Sequence, residues 1–267
     1  MPVIMVKKLL ISASIFACIA SYTFSQSEQL VINFTQTLLP GLLTFENPKG
    51  SIKVTGYDGE VILVTSMFRF RDTEKNVNNG MRRIVQNTPD ISAEVNGNNV
   101  ILLCRTIGKT VDFDIKVPRN FSLKLKSLDN GNVEITNING EIEVENTHGD
   151  ILLENVAGSA VLSSVYGKIS ALFREVNPNS PMMFTSFEGD ITITFPEKIN
   201  ARLKMKSERG EILSDFDIKP VKRQSVMTSV ENTRIYSLED WIVGSINSEG
   251  PEYIIKNYNG DIYLHKR

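Results

Sequence analysis

The chain has 267 residues, of which 29 are Lys or Arg, 31 are Asp or Glu, and 41% are hydrophobic. This composition excludes collagen-like repeats and acidic disordered tails, and a net charge of −2 gives no basis for binding a nucleic-acid backbone. Two His, one Trp and two Cys also leave few of the side chains that catalysis uses most often.

Residues 1–25 are predicted to be a secretory signal peptide. Lys7 and Lys8 precede the apolar run Leu9–Ala20, and a zone of small and polar residues follows that run. Cleavage is expected after Ser25, whose side chain is small enough for a signal peptidase. The run is shorter than the roughly 20 residues that span a bilayer. We therefore expect an exported protein, in the periplasm, the outer envelope or the medium, with no integral membrane segment after cleavage.

The two cysteines bear on location and on covalent structure. Cys18 follows Ala17 within the apolar run, so a lipoprotein anchored at Cys18 is the alternative to an unanchored chain. If Cys18 leaves with the signal, Cys104 is the only cysteine of the mature chain and no intramolecular disulfide can form. Cys104 ends the strand-like run Val100–Cys104, which predicts a buried, inert thiol.

Residues 26–110 are predicted to form an N-terminal β-rich region. Short strand-like runs separated by turn signals occupy Leu30–Thr65, as either the first strands of the main fold or a layer that caps it. The polar segment Arg71–Asp90 predicts a surface excursion, with a short helix around Met81–Gln86.

A nine-residue repeat follows. Glycines recur at this interval at Gly131, Gly140, Gly149, Gly158 and Gly167, and related segments begin at Gly50, Gly59, Gly189, Gly210 and Gly260. Because strand side chains alternate between two faces, the aliphatic columns two and four residues after the glycine are expected to face the core. The first column holds Val133, Ile142, Ile151, Ala160, Ile169, Ile191, Ile212 and Ile262, and the second holds Ile135, Val144, Leu153, Leu162, Ala171, Ile193 and Leu264. The column two residues before the glycine, which holds Ile138, Thr147, Val156 and Val165, is predicted to make a second inward contact.

Polar columns predict how the corners between strands are built. One residue after the glycine stand side chains that are expected to meet water, namely Asn132, Glu141, Asp150, Ser159, Lys168, Asp190, Glu211 and Asp261. Three residues before it stand Asn137, Asn146, Asn155, Ser164, Ser186, Ser207, Asn247 and Asn257. Asn and Ser hydrogen-bond nearby backbone at turns, and stacked Asn side chains can form a ladder.

The later glycine spacings favour one of two architectures. A repeat of strand and turn fits either an antiparallel meander or a coil whose successive strands lie on different faces. The interval from Gly167 to Gly189 is 22 residues and the next, to Gly210, is 21, which is close to twice the basic period and favours two strands per coil. Residues 111–267 are therefore predicted to form an all-β solenoid. Within them, Pro220–Leu238 predicts a long loop, and Trp241 is expected to pack on the end of the solenoid.

Several segments together carry a resemblance to a known family. They are Asp114–Pro118, the nine-residue glycine array, Phe184–Ile191, Ser214–Phe216 and Asn259–Leu264. Over residues 111–267 the chain resembles the bacterial putative-adhesin domain, an uncharacterised family of exported β-solenoid proteins. The resemblance implies a right-handed parallel β-helix-like fold and an envelope or extracellular location, and it supplies no catalytic residue. The segment Glu249–Pro251 departs from the Gly-Gly-Pro that is usual there.

Calcium binding and carbohydrate cleavage are the two alternatives to a purely structural role for the polar residues. Acidic side chains crowd the array at Asp129, Glu134, Glu141, Glu143, Glu145, Asp150 and Glu154, yet no unit has the Gly-Gly-x-Gly-x-Asp pattern of calcium-binding nonapeptides, so a solvated acidic face is expected. The candidates for a carbohydrate lyase or hydrolase are Asp190, Glu211, Arg209 and Asp261, although recurrence at corners is also what a structural repeat produces. His148 and His265 lack metal-ligand spacing, and no cofactor is expected.

Binding is the favoured function. Leu152, Val161, Leu213 and Tyr263, together with Tyr166, are predicted to form an apolar strip on the outer surface, unless an N-terminal strand or loop covers it. We expect a non-catalytic adhesin or envelope scaffold that binds a surface protein or glycan, with a carbohydrate-active enzyme as the alternative. No nucleic-acid partner is expected.

Overall fold

The computed structural model describes residues 29–34, 40–69, 88–220, 225–230, 233–238 and 241–267. These residues form strands and turns, with no helix among them. Within this part of the chain, accordingly, no helix has the length and apolar character needed to cross a membrane. The predicted signal peptide with Cys18, and the helix predicted around Met81–Gln86, lie outside the described residues.

The described residues contain 22 strands. In chain order their bounds are β1 Gln29–Ile32, β2 Leu42–Asn47, β3 Ile52–Tyr57, β4 Ile62–Phe68, β5 Ile91–Asn96, β6 Asn99–Cys104, β7 Val111–Pro118, β8 Ser122–Ser127, β9 Val133–Thr136, β10 Glu141–His148, β11 Ile151–Tyr166, β12 Ile169–Val176, β13 Met182–Glu188, β14 Ile191–Phe195, β15 Ala201–Ser207, β16 Ile212–Ser214, β17 Lys219–Pro220, β18 Ser225–Val230, β19 Thr233–Leu238, β20 Ile242–Ile246, β21 Glu252–Asn259 and β22 Ile262–Lys266.

Most of these strands lie in two sheets that share β11. Sheet A has the spatial order β1-β4-β7-β3-β9-β11-β12-β14-β22-β16. Sheet B has the order β5-β6-β2-β8-β10-β11-β13-β21-β15-β20-β17. The first half of β11 pairs in sheet A and its second half pairs in sheet B. The strands therefore wind round an axis, and from β6 to β16 the chain passes alternately through B-to-A and A-to-B corners.

Parallel pairing joins equivalent positions of successive repeats. Ile151 pairs with Val133 on one side and with Ile169 on the other, and Ile142 pairs with Ala160. Each partner is 18 residues away, twice the nine-residue period, because every second strand returns to the same sheet. Parallel pairing through the array excludes the antiparallel meander.

The two aliphatic columns form the core, as predicted. Except for half-buried Ile212 in the short strand β16, their members are at most 2% exposed. The column two residues before the glycine faces inward only at A-to-B corners, where Ile138 and Val156 are buried. At B-to-A corners this prediction is wrong, and Val165 is 37% exposed. There the inward position belongs to the residue three before the glycine, such as Ser164, because strand alternation continues to the end of the strand.

The spatial order of the strands departs from chain order at two places. We call a strand of sheet B and the sheet A strand that follows it a layer. The β2–β3 layer lies between the β6–β7 and β8–β9 layers, and the β21–β22 layer lies between the β13–β14 and β15–β16 layers. Strands β1 and β4 close one end of sheet A with antiparallel pairs. The N-terminal strands thus include both strands of the main sheets and strands that cover an end.

The prediction of a long loop over Pro220–Leu238 is wrong. Strands β18 and β19 form an antiparallel hairpin within it, in a two-stranded sheet of their own. The β-branched and aromatic residues of both strands favour pairing even where the glycine period lapses. Trp241 lies just before β20, next to the last strand of sheet B, and the Nζ of Lys204 lies 4.7 Å from the centre of its ring.

Candidate docking surface

The polar column after each glycine bonds one layer to the next. Oδ1 of Asn132 accepts the backbone N–H of Asp150 at 3.0 Å, and Oδ1 of Asp150 accepts that of Lys168 at 2.8 Å. Oδ1 of Asp190 likewise accepts the N–H of Asp261 at 3.1 Å. These side chains meet water as predicted, but they also bond neighbouring layers in a way that repeats along the fold. Ser159 of the same column is buried, so the prediction is wrong at that position.

The carboxylate of Asp261, a candidate for glycoside chemistry, also bonds a neighbouring layer. Oδ1 of Asp261 accepts the backbone N–H of Glu211 at 2.8 Å, and the hydroxyl of Tyr263 donates to its other oxygen at 2.9 Å. The hydrogen bond from Glu211, with the second from Tyr263, holds the pKa of Asp261 below its usual range. A general acid needs the opposite shift. The guanidinium of Arg209 packs instead on Tyr258, 5.1 Å from the ring centre.

The histidines and the cysteine occupy separate places. Nδ1 of His265 lies 2.9 Å from Oδ2 of Asp215, and this hydrogen bond, ahead of one from the backbone of Lys266, lowers the pKa of Asp215. His148 lies in another corner, with Nδ1 4.0 Å from Oδ1 of Asp129. Cys104 is half-buried at the end of β6 rather than fully buried. Among the residues that the structure describes, no three His, Cys, Asp or Glu side chains are grouped so as to hold a metal ion.

The Asn and Ser column has two roles, depending on the corner. At B-to-A corners it is buried or half-buried, and Nδ2 of Asn146 donates to the carbonyl of Gly131 in a neighbouring layer at 3.1 Å, as Nδ2 of Asn257 does to Gly189 at 2.9 Å. The hydroxyl of Ser164 is buried without such a bond. At the A-to-B corner Nδ2 of Asn155 donates to Oδ1 of Asn137 at 2.6 Å. The predicted Asn ladder therefore forms at that corner.

The outer face of sheet B is divided into two halves of different chemistry. On β8 and β10, Nζ of Lys124 lies 2.9 Å from Oε1 of Glu143, and Nζ of Lys126 lies 3.3 Å from Oε2 of Glu145. These cross-strand pairs are about half exposed, so water screens them and each contributes little to stability. This charged half requires no partner beyond water.

The other half of that face is apolar. Strands β11, β13 and β21 present side chains that are each 36% to 48% exposed, which we call the apolar patch: Val161, Val165, Tyr166, Met183, Phe187 and Tyr258. A polar row of Ser163, Thr185 and Lys256 separates Val161 and Met183 from the other four. Val161 pairs with Met183 in the sheet. Exposed apolar side chains that cluster in this way mark interaction surfaces, whereas isolated ones carry no such meaning.

Ring contacts hold the aromatic members of the patch in a row along the fold. The ring centres of Phe187 and Tyr258 are 4.7 Å apart with nearly parallel planes, and those of Tyr166 and Phe187 are 6.3 Å apart with an edge-to-face geometry. His148 extends the row, stacked 5.2 Å from Tyr166. Since each ring is held by its neighbours, the row presents a fixed apolar surface with little side-chain entropy left to lose on binding.

The apolar strip predicted from sequence is only partly correct. Val161 and Tyr166 belong to the patch, but Leu152, Leu213 and Tyr263 lie on sheet A, and Leu152 and Tyr263 are half-buried. The prediction missed Phe187 and Tyr258, which stand two residues before Gly189 and Gly260. The sequence pattern predicts that this column faces the core at every corner. Treating the two kinds of corner separately would have identified its exposed aromatic members.

Comparison with known proteins places the chain in a family. The family described as Toastrack DUF4097 matches residues 114–264, more than half of the sequence. The chain belongs to this family. The resemblance to an uncharacterised adhesin-like domain is thereby confirmed, and the β-rich, parallel-stranded architecture described above is the Toastrack fold.

Two solved structures are also similar to the chain. A putative cell adhesion protein from Clostridium sporogenes is 12% identical, with a TM-score of 0.47 over 90% of this chain and 99% of that one. A putative adhesin from Bacteroides fragilis is 13% identical, with a TM-score of 0.38 over 89% of this chain and 97% of that one. No curated protein matches the sequence.

Proposed function

We propose that the protein is an exported, non-catalytic, adhesin-like scaffold that docks another envelope or surface protein on its apolar patch. The observation that carries this proposal is the exposure of six apolar side chains on one half of the outer face of sheet B, four of which, Val165, Tyr166, Phe187 and Tyr258, lie together at one end of their strands. Apolar clusters on a folded surface favour burial against a partner by about 25 cal/mol per Å² of apolar area removed from water.

The composition of the patch supports a protein partner rather than a bare structural face. Aromatic residues and Met are enriched at protein interfaces, whose centres are depleted of charge and whose rims are polar and solvent-accessible. Phe187, Tyr258 and Met183 lie within the patch, while the Lys124–Glu143 and Lys126–Glu145 pairs border it on neighbouring strands.

The proposal includes the location and the winding of the chain. Residues 1–25 direct export and are removed after Ser25, or the chain is anchored through a lipid on Cys18. Residues 26–110 supply the first strands and end coverings, and residues 111–267 carry the repeat. Alternation between sheets A and B supports a β-solenoid with about two strands per coil, whose stiffness would hold the patch at a fixed place on its surface. Its right-handed winding is what the family resemblance implies.

Site-specific photocrosslinking tests the docking surface. A photoreactive phenylalanine analogue replaces Phe187 in one variant, Tyr258 in a second and Lys124 in a matched control, and each chain is expressed with its leader in bacterial cells. We expect the two patch variants to crosslink the same heterologous protein, and the control variant not to. The proposal is overturned if all three positions give the same products, if the patch positions crosslink only a second copy of the chain, or if they give none.

A further inference from the structure

The two departures from chain order occur at the same kind of corner. The link from β7 to β8 crosses over the β2–β3 layer, and the link from β14 to β15 crosses over the β21–β22 layer. Both are A-to-B links. Each must therefore span two strand spacings, about 10 Å, where an ordinary corner spans one.

A groove lies beside each crossover. The first, of about 730 Å³, is lined by the end of β3, the crossing link and the next corner, including Tyr57, Asp58, Arg119, Asn120, Asn139 and Glu141. The second, of about 360 Å³, is lined by the end of β12 and the second crossing link, including Arg174, Glu175, Lys198, Asn200 and Glu249. Both volumes fall within the range of ligand-binding clefts, roughly 300–1,000 Å³.

The two grooves adjoin along the corner. Asn177 lines the first groove, and its neighbours Val176 and Pro178 line the second. Arg174 reaches across the corner, where its guanidinium donates to Oδ1 of Asn139 at 2.7 Å and to Oδ1 of Asn155 at 3.4 Å. A ligand that fills both grooves must therefore be long and narrow.

We propose that the two crossover grooves form one extended binding site for a linear, uncharged or weakly charged glycan. No residue of the apolar patch lines either groove, although Ser159 of the first groove is two residues from Val161. Amides, carboxylates and guanidinium groups dominate its rim, and such planar groups bond pairs of sugar hydroxyls through two parallel hydrogen bonds.

The charges of the grooves exclude the other elongated ligands. In the first groove Nε of Arg119 donates to Oδ1 of Asp58 at 2.6 Å, so this cation is already neutralised, and Glu141 adds a negative charge. In the second, Arg174 and Lys198 face Glu175 and Glu249. A polyanion or a polycation would meet charges of both signs in these grooves, so neither is favoured. An apolar chain would have to remove water from the polar rim.

Titration calorimetry with neutral hexasaccharides tests the site. The probes are maltohexaose, cellohexaose and the hexamer of N-acetylglucosamine. Asn120→Ala removes an exposed amide from the first groove and Asn200→Ala removes one from the second, while Lys124→Ala and Phe187→Ser serve as controls outside both grooves. Each groove variant is expected to weaken binding of a bound hexasaccharide by about fivefold and the double variant by about 25-fold.

Further readings separate this site from the docking surface. A trisaccharide of the same sugar, too short for both grooves, should respond to only one of the two groove variants. Asn120→Trp, which fills the first groove from an exposed position, should abolish hexasaccharide binding with an unchanged melting temperature. The site is refuted if no hexasaccharide binds at millimolar concentration, if both alanine variants bind like the wild type, or if Phe187→Ser weakens glycan binding as much as they do. Protein crosslinking at Phe187 can succeed or fail independently of all these results.

Discussion

Replacing Gly149 by Ala probes the close stacking of the glycine corners. Gly149 has φ of +134°, a backbone conformation that L side chains rarely adopt. A Cβ built on it would lie 2.2 Å from the carbonyl oxygen of Gly131 in the neighbouring layer, well inside the contact distance of roughly 3.5 Å. The layers would have to part by about 1 Å to accept the methyl group.

The expected loss has two parts. The strained backbone costs about 1–3 kcal/mol. Parting the layers weakens the hydrogen bonds from Gly131 N–H to His148 and from Val133 N–H to Asp150, which are 3.2 Å and 2.9 Å long, and each contributes about 1 kcal/mol. The free energy of unfolding should therefore fall by about 3–5 kcal/mol, a large share of the 5–15 kcal/mol typical of folded domains.

Gly97→Ala is the matched control. Gly97 has φ of +61° in the turn between β5 and β6, and a Cβ built on it would meet no atom within 4 Å. The control therefore isolates the backbone strain, which costs about 1–2 kcal/mol. Urea unfolding followed by circular dichroism measures both variants. If Gly149→Ala loses no more stability than Gly97→Ala, the layers are not stacked through their glycine corners as described.

Three further predictions follow from single contacts. Tyr253→Phe should raise the free energy of unfolding by about 1 kcal/mol, because the Tyr253 hydroxyl is buried without a hydrogen-bond partner; an equal loss in urea unfolding would mean that the hydroxyl is satisfied. Asn155→Ala should cost about 1–2 kcal/mol in the same assay, because it removes the bond to Asn137 and places Ala at φ of +53°, and an unchanged midpoint would contradict the ladder. Because the pKa of Asp261 is held low, chiefly by the N–H of Glu211, its charge stabilises the fold above the ordinary aspartate pKa and loses that effect as the pH falls through the folded value. The stability gap between the wild type and Asp261→Asn should thus be present at pH 7 and shrink below about pH 4, and a gap that widens in acid would reverse this assignment.

Local patterns predicted the strands and corners but not the order in which the strands stack. The column two residues after the glycine holds isoleucine in β14, β16 and β22 alike, so Ile191 packs equally well beside Ile212 or Ile262. Only the structure shows that Ile262 lies between the other two. The crossover grooves depend on this order, so no reading of neighbouring residues could have found them.

The apolar patch was partly accessible from sequence. Val161 and Tyr166 were assigned to the outer surface, but Phe187 and Tyr258 were hidden by the assumption that all corners are equivalent. At B-to-A corners strand alternation turns the residue three before the glycine inward, and therefore turns the residue two before it outward. The nine-residue period treats both kinds of corner alike, although different residues before the glycine face the core in each. The 18-residue pairing distinguishes the two kinds.

The most direct test of the docking surface is the affinity of the protein identified by crosslinking at Phe187. Its dissociation constant is measured by surface plasmon resonance with the wild type, with Phe187→Ser and with the surface-matched control Lys124→Ser. Losing a buried aromatic anchor at an interface typically costs 2 kcal/mol or more, about thirtyfold. We predict that Phe187→Ser loses about that much affinity and that Lys124→Ser changes little. Equal affinity of all three chains would contradict docking on the apolar patch.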